Sequence, residues 1–177
     1  MSQELNTDRD VCNRCLKKCC FFSTETTNPE AVLSWSEIEK IELATGRVDF
    51  YEEKKSRYAD ELYYRLKSIV GRCCFYDQQE EICTIYDVRP IDCRLHPFDF
   101  TVFDSDQGDM WVLNNCLLSQ SFDEATIEKM LNYFECNYAE EIAGILTCED
   151  SSFVEVLKDN VGVRKLRKVK LSIPPPK

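Results

Sequence analysis

The spacing of apolar positions between residues 34 and 46 predicts the first helix. In SWSEIEKIELATG, Ser34 precedes Glu37 by three positions, which is the spacing of a capping box at a helix start. Ile38 and Ile41 supply an apolar side, and Gly46 follows as a residue that commonly ends a helix. The pattern predicts a helix over about residues 35–45.

A second helical pattern follows in FYEEKKSRYADELYYRLKSIV, residues 50–70. The stretch is rich in helix formers, and Tyr58, Leu62, Leu66 and Ile69 recur near the helical period. It predicts an amphipathic helix.

The apolar pattern then changes to that of short strands. In RCCFYDQQEEICTIYD, residues 72–87, the polar run DQQEE separates two apolar runs that contain cysteines, which predicts a β-hairpin. In FDFTVFDSDQGDMWVL, residues 98–113, the run DSDQGD predicts a second hairpin in the same way.

The C-terminal third returns to helical spacing and then becomes basic. Ser121 and Glu124 have a capping-box spacing, and a long apolar stripe follows them, which predicts one long helix that covers the core. VRKLRKVKLSIPPPK, residues 163–177, is basic and proline-ended; we interpret it as a solvated end or a strand paired to the acidic body, with a partner-binding arm as the alternative. The apolar stripe of the predicted long helix consists of Ile127, Leu131, Phe134, Tyr138, Ile142 and Ile145.

Cysteine content adds chemistry to this outline. The chain has 11 cysteines in 177 residues, and VCNRCLKKCC places four of them in a C-x2-C-x3-C-C spacing. A chain of this length can bury a core without covalent staples. No secretory signal or membrane-spanning run is seen in the sequence, so we expect a cytoplasmic protein with no membrane association, whose thiols stay reduced. Clustered cysteines in that compartment indicate metal binding more than disulfides or free reactive thiols.

The charge balance disfavours one class of metal-binding protein. The net charge is -10, from 32 acidic and 22 basic residues. Nucleic-acid backbones need a cationic surface, so a zinc-finger reader of DNA is disfavoured and no nucleic-acid partner is expected. A protein partner is expected instead.

The adjacent cysteines limit how many thiols one ion can take. Cys12 and Cys15 have a gap that lets both thiolates reach one ion. Neighbours in an extended chain point to opposite sides, so Cys19 and Cys20 are not expected to ligate one tetrahedral ion together, and the same holds for Cys73 and Cys74. Either one member of each doublet is a spectator, or the site is polynuclear or double. With one thiol from the second doublet, eight potential ligands remain, enough for two four-coordinate centres.

The ordered cysteines resemble the YkgJ-type cysteine-cluster proteins, a family named for zinc or iron chelation. The resemblance covers about residues 12–116; His96 stands where the family often has an aromatic residue, and Cys116 is followed by LLS rather than Pro-Gly. Larger relatives include flagellin lysine methylases with an iron-sulfur cluster and S-adenosylmethionine, but this chain shows no Gly-rich nucleotide loop. The family pattern is matched by Cys12, Cys15, Cys19, Cys20, Cys74, Phe75, Cys83, Tyr86, Arg89, Pro90, Cys93, Arg94 and Pro97, and the resemblance implies the metal ligands Cys12, Cys15, Cys19, Cys20, Cys74, Cys83, Cys93 and Cys116.

The identity of the metal is open between two cofactors. All-thiolate ligation suits an iron-sulfur cluster, of the 4Fe-4S type, and zinc, and the number of thiols beside a single histidine favours iron-sulfur. His96 is expected to pack or hydrogen-bond, with ligation as its reserve role. Arg89 and Arg94 flank Cys93 and either offset thiolate charge or form salt bridges. Cys136 and Cys148 are expected to be ordinary buried residues.

We therefore predict a small single α+β domain, residues 1–177, with short β-hairpins and helices around a cysteine-ligated metal centre. Residues 12–116 form the metal-binding region, 121–160 a helical extension and 163–177 a basic tail. The predicted function is metal binding in a redox, metal-delivery or enzyme-accessory role. Two alternatives stay open: a metalloenzyme, related to S-adenosylmethionine-dependent protein methylation, and a zinc-stabilised interaction protein. The catalytic residues of such an enzyme are not identifiable from the sequence.

Overall fold

The computed structural model describes residues 31–55, 62–102, 109–148 and 163–171. Helices and small antiparallel sheets both occur in these ranges, which confirms the α+β class. The candidate ligands Cys12, Cys15, Cys19 and Cys20 lie outside the described residues. The helices are α1 (Trp35–Thr45), α2 (Ile91–Leu95), α3 (Glu124–Asn137) and α4 (Ala139–Cys148). The strands are β1 (Val32–Leu33), β2 (Tyr51–Lys55), β3 (Leu62–Leu66), β4 (Ser68–Ile69), β5 (Arg72–Cys73), β6 (Tyr76–Asp77), β7 (Ile82–Cys83), β8 (Phe98–Val102), β9 (Asp109–Asn114) and β10 (Val163–Lys168).

Helix α1 has the bounds and the caps that its sequence predicts. The Ser34 hydroxyl accepts a hydrogen bond from the Glu37 backbone N–H, and the Glu37 carboxylate accepts one from the Ser34 N–H at 2.8 Å, so the capping box is complete. Gly46 ends the helix in the left-handed region at φ 68° and donates to the Glu42 carbonyl. Ile38 and Ile41 are buried, as the apolar spacing predicts.

The predicted helix over residues 50–70 is wrong. In the described part of this stretch, strands β2 and β3 pair antiparallel, with Glu52 directly opposite Arg65. Helix propensity is a weak prior, and here the cross-strand pairing and the aromatic side chains outweigh the helix-forming Glu and Lys residues. The Tyr51 and Tyr64 rings meet edge to face across the pair, with centroids 5.6 Å apart.

Both predicted hairpins are confirmed. Strands β6 and β7 pair with Tyr76 opposite Cys83, and the Asp77 carboxylate accepts the backbone N–H groups of Gln79 and Glu80 in the turn. Strands β8 and β9 pair from Phe98–Leu113 to Val102–Asp109, while their turn lies outside the described residues. A further hairpin, β4–β5, turns tightly at Val70 and Gly71, both with positive φ.

The C-terminal helix differs from its prediction at its start and in its middle. Asp123, not Ser121, is the N-cap, because its carboxylate accepts the Thr126 N–H at 2.7 Å. The Ser121 hydroxyl donates instead to the Leu118 carbonyl within a 3₁₀ turn. The single predicted helix is two, α3 and α4, which meet at Tyr138. Of the predicted stripe, Ile127, Leu131, Phe134, Ile142 and Ile145 are buried and Tyr138 is partly buried.

The basic segment that follows is a strand in its described part. Strand β10 pairs antiparallel with β9, with Val163 opposite Asn114, and completes the three-stranded sheet β10-β9-β8. Arg167 reaches α3, where both carboxylate oxygens of the buried Glu135 accept its guanidinium N–H groups at 2.7 and 2.8 Å. The interpretation as a strand paired to the acidic body is confirmed for these residues.

Two apolar cores lie on opposite sides of helix α2. Ile91 and Leu95 of α2 belong to the first core, which packs the β10-β9-β8 sheet against α3 and α4. Cys93, between them on the opposite face of the helix, packs against the second core. The first core contains Val32, Ile91, Leu95, Phe98, Phe100, Trp111, Leu113, Ile127, Leu131, Phe134, Ile142 and Ile145. The second contains Ala31, Leu33, Ile38, Ile41, Phe50, Leu66, Cys73, Phe75 and Ile85.

Candidate metal centre

The second core gathers four of the cysteines that the sequence singles out. Cys73 is buried within it, and Cys74, Cys83 and Cys93 are half-buried against it. They come from the end of β5, the turn after it, the end of β7 and the middle of α2. Chain segments separated by up to twenty residues in sequence thus bring their thiols to one apolar surface.

The Cys73–Cys74 doublet is not arranged as the sequence suggests. Strand β5 ends at Cys73, so Cys74 lies in a turn and the alternation of an extended chain does not apply. The two thiols hydrogen-bond to each other: this contact and burial raise the pKa of Cys73, and the same contact lowers the pKa of Cys74. The prediction that the two side chains point apart is therefore wrong for this doublet.

A third thiol and a cation complete this group. Cys93 is close enough for its charge to contribute to the raised pKa of Cys73. Arg47 helps to lower the pKa of Cys74 by its positive charge, and its Nη1 donates to the Cys74 carbonyl at 3.1 Å. The guanidinium also lies over the Phe75 ring, 4.7 Å from its centroid. Arg47 is thus the cation beside these thiols, and its position after Gly46 in sequence gives no signal of this role.

The two arginines that flank Cys93 in sequence have other partners. Arg89 stacks on the Tyr86 ring at 3.8 Å, and its buried Nε has no hydrogen-bond partner among the described residues. Arg94 donates to the Tyr138 hydroxyl at 2.6 Å. These contacts are neither of the two roles that the sequence suggests for them, thiolate neutralisation or salt bridges.

Helix α2, which carries Cys93, is fixed at its start by two carboxylates. Glu37 of α1 accepts the Ile91 N–H at 2.6 Å, and Asp92 accepts the Val32 N–H at 2.8 Å. Burial and the nearby charge of Asp99 raise the pKa of Asp92 to about 7. A five-residue helix has little stability of its own, so these bonds to α1 and β1 hold the Cys93 backbone in place.

Cys116 has a separate environment at the end of β9. Its thiol hydrogen-bonds to the His96 side chain and to the Ser119 backbone, while its own N–H donates to the Ser119 hydroxyl at 2.9 Å. Burial raises the pKa of the Cys116 thiol, but the hydrogen bonds and the His96 charge outweigh it, so the pKa lies below its usual value. The expectation that His96 forms hydrogen bonds is confirmed.

The thiols of these residues are suitable ligands for zinc or iron, but the described residues do not form a complete site. Thiolates are preferred ligands of both metals, and a cation beside them offsets the charge that several thiolates would bring together. Within the part of the chain that the structure describes, no three Cys, His, Asp or Glu side chains already have the geometry of a metal site. The described thiols therefore supply part of a donor set, and the metal centre itself stays a prediction.

Most of the chain, residues 11–117, is similar to one known protein family. The family described as "Putative zinc- or iron-chelating domain" (CxxCxxCC) matches residues 11–117. The chain belongs to this family. The CxxCxxCC match contains all eight candidate ligands, and it confirms the resemblance to YkgJ-type proteins.

The comparisons with one curated relative and with solved structures give no further information about function. The uncharacterized protein MJ0661 of Methanocaldococcus jannaschii is 39% identical over 54 residues, which is 29% of this chain and 30% of the relative. No solved structure matches the chain. No helix in the described ranges has both the length and the apolar character that crossing a membrane requires.

Helices α3 and α4 carry the two remaining cysteines, Cys136 and Cys148, and one buried carboxylate, Glu135. Cys136 is exposed on α3, so the prediction that it is buried is wrong. The side chain of Cys148 lies outside the described residues. Glu135, one position before Cys136, is buried; its neighbours Phe134 and Leu131 mark this helix face as apolar, but its partner Arg167 is 32 residues away and is not visible in the local pattern.

Proposed function

We propose that this member of the CxxCxxCC family holds an iron-sulfur cluster or zinc through its cysteines and serves a protein partner in a redox, metal-delivery or enzyme-accessory role. The observation that carries the proposal is the convergence of Cys73, Cys74 and Cys93 on one surface of the second core. Family membership supports zinc or iron as the metal. The proposed ligands are those that match the family pattern: Cys12, Cys15, Cys19, Cys20, Cys74, Cys83, Cys93 and Cys116.

The position of these thiols supports a role that involves another macromolecule. Cys74, Cys83 and Cys93 are half-buried, so one side of their group faces the apolar core and the other reaches the surface. A metal held there gains rigidity from the core and stays within reach of a docking protein. Arg47 lies beside Cys74 and would balance part of the negative charge of a thiolate-ligated metal.

The thiol-rich donor set favours an iron-sulfur cluster over zinc. Both centres take four ligands, but the candidate donors are all thiols beside a single histidine, whereas a catalytic zinc usually has histidine or carboxylate ligands. The proposed location is the cytoplasm, where reducing conditions keep these thiols free to ligate. Binding would also stabilise the fold, because the ligands come from segments that the folded chain alone brings together.

Serine substitutions test the proposal at single ligands. We expect Cys74→Ser and Cys93→Ser to lower the metal retained per chain after anaerobic purification, because the hydroxyl is a poor ligand for these metals. Cys136→Ser is the matched control, since Cys136 is an exposed thiol outside the second core. Full metal retention in both ligand variants, or equal loss in the control, would contradict the proposed ligand set.

A further inference from the structure

The tip of the β4–β5 hairpin exposes two apolar side chains. Ile69 is 57% exposed and Val70 is 95% exposed. Exposed apolar residues are ordinary when they occur singly, but here two adjacent ones stand at the start of a two-residue turn. Among the described residues, neither side chain belongs to one of the two apolar cores.

The backbone of Val70 makes an apolar residue unfavourable at this position. Its φ of 51° lies in the left-handed region, where a β-branched side chain is strained. Asn or Gly would form the same turn with less strain. Strained residues concentrate at binding and functional sites, where the side chain has a use that offsets the cost. The strain and the exposure together point to a contact that the described residues do not make.

The two faces of the hairpin differ. Ser68 pairs with Cys73, so their side chains share the face on which Cys73 is buried in the second core. Ile69 pairs with Arg72, and these two side chains share the opposite face. Three residues separate Val70 from Cys73, so their Cα atoms are within about 11 Å of each other. The exposed tip is thus close to the thiols of the candidate metal centre.

The base of the hairpin is fixed to the second core. The Cys74 N–H donates to the Lys67 carbonyl at 3.1 Å, and the Lys67 N–H donates to the Phe50 carbonyl at 2.8 Å. The Cys74 thiol donates to the same Phe50 carbonyl at 3.5 Å, and Phe50 is fully buried. An apolar group on a fixed base loses little conformational freedom when a partner covers it, which favours binding.

The charge beside the tip indicates which kind of partner fits. Residues 67–76 contain the basic residues Lys67 and Arg72 and no acidic one, in a chain with a net charge of -10. A third cation, Arg47, donates to the Cys74 carbonyl at 3.1 Å and pairs with Asp49 at 3.3 Å. The hairpin is therefore apolar at its tip and basic beside it, on an otherwise acidic molecule. A surface that is apolar at its centre and acidic at its rim complements it.

We propose that the tip of the β4–β5 hairpin is the docking site of the protein partner, with Val70 as the apolar anchor and Lys67 and Arg72 facing carboxylates of the partner. The inference rests on the proposed function and specifies its partner: a protein with an apolar site bordered by Asp or Glu side chains. Docking at the tip brings that protein next to the hairpin that carries Cys73.

Site-specific photo-crosslinking in cells of the source organism identifies the partner. The crosslinking amino acid p-benzoylphenylalanine is placed at position 70 of the full chain, and at position 62 in the control. Leu62 is also exposed, at 58%, but it lies at the far end of β3, about 13 Å from Leu66, where the strand ends before the hairpin. We expect a crosslink from position 70, and none from position 62, to an apolar segment of another protein flanked by acidic residues.

The affinity for the identified and purified partner tests the anchor. Val70→Asn removes the apolar group and relieves the strain, so the chain should stay folded while its affinity falls at least about tenfold, as for a residue that dominates an interface. Val70→Leu keeps an apolar side chain and should bind more tightly than Val70→Asn. Leu62→Asn is the matched control and should bind like the wild type. The affinity of the wild type should fall as the salt concentration rises.

The contrary outcomes separate this inference from the proposed function. No crosslink from position 70, a crosslink to a second copy or to another segment of the same chain, or a contact segment without acidic residues would overturn the inference. Unchanged affinity in Val70→Asn, with its folding checked by urea denaturation, would do the same. All of these results leave metal binding intact, whereas wild-type protein that binds neither zinc nor iron would overturn the proposed function itself.

Discussion

Val70 has a backbone conformation that its side chain disfavours. Its φ is 51°, in the left-handed region, and its side chain is 95% exposed, so no packing compensates for the strain. It forms the turn between β4 and β5 together with Gly71, at φ 71°. Two-residue turns with positive φ at both positions favour Asn-Gly, which makes valine a poor choice at the first position.

Replacing this residue should therefore stabilise the protein. We expect Val70→Asn to raise the free energy of unfolding by about 1 kcal/mol, since strained left-handed residues cost about that much. Urea denaturation of the two proteins measures the difference. Val48→Asn is the control, because Val48 is also exposed but does not have a positive φ. An equal gain in the control, or a loss in Val70→Asn, would contradict the strain argument.

Glu37 shows how one side chain connects two elements. One carboxylate oxygen caps α1 through Ser34, and the other accepts the Ile91 N–H at the start of α2, which carries Cys93. The capping box was visible in the sequence because its residues are three positions apart. The bond to Ile91, 54 residues away, was not.

The two functions of Glu37 can be separated by mutation. Ser34→Ala removes only the cap and should cost about 1 kcal/mol. Glu37→Ala removes the cap contact and also leaves the Ile91 N–H without its acceptor, so it should cost about 2–3 kcal/mol in total. Urea denaturation of both variants gives the comparison. Equal losses would mean that the bond from Glu37 to α2 contributes nothing measurable.

The docking of β10 on α3 predicts a pH dependence. Burial raises the pKa of Glu135, but hydrogen bonds from Arg167, the Lys170 backbone and Trp111 outweigh it, and the pKa lies below its usual value. A carboxyl whose folded-state pKa is lowered stabilises the fold above its unfolded pKa, and this stabilisation disappears as the pH falls through the folded-state value. The ionised carboxylate thus contributes most near neutral pH.

Glu135→Gln should cost about 2 kcal/mol at pH 7, the scale of hydrogen bonds to a charged group. The difference from wild type should begin to shrink as the pH falls below about 4, where the carboxyl of the unfolded chain takes up its proton, and should disappear below the lowered folded-state pKa. Urea denaturation across this range measures it. Glu128→Gln is the matched control, since the exposed Glu128 also binds Arg167 and should change stability by under about 1 kcal/mol. A difference from wild type that is independent of pH would exclude the ionic contribution.

Local signals account for the elements that the sequence predicted correctly. Helix α1 has its cap, apolar face and terminal glycine within thirteen residues, and each predicted hairpin has a polar turn between apolar runs. The β2–β3 pair was missed because its Glu and Lys residues favour a helix, while the partner strand is needed to see the cross-strand pairing. The break at Tyr138, whose φ is -134°, was missed because the apolar stripe continues through this residue without a local stop signal.

In the candidate site, too, local sequence signals were enough for some features, while others depend on contacts between distant residues. Residue type and spacing were enough to indicate thiol ligands and, through the family match, zinc or iron. The contact between Cys73 and Cys74, the position of Arg47 and the pairing of His96 with Cys116 depend on turns and strand register. A sequence pattern without the fold contains no information about these contacts.

At the scale of the whole molecule, helix α2 joins the two cores and presents Cys93 to one of them. The first core packs a sheet against two helices, as in an ordinary apolar domain. The second includes cysteines from three segments around its surface, so its packing and its proposed chemistry share the same residues. A metal at this position would stabilise the less regular half of the molecule.

The most direct test of this central claim is metal and acid-labile sulfide analysis, with an absorption spectrum, of wild-type protein purified without oxygen. We expect stoichiometric iron with sulfide and broad visible absorption, or colourless protein with stoichiometric zinc. The first result would identify an iron-sulfur protein and the second a zinc protein, and both agree with a cysteine-ligated centre. Protein that is folded but carries neither metal, and takes up neither when reconstituted, would contradict it.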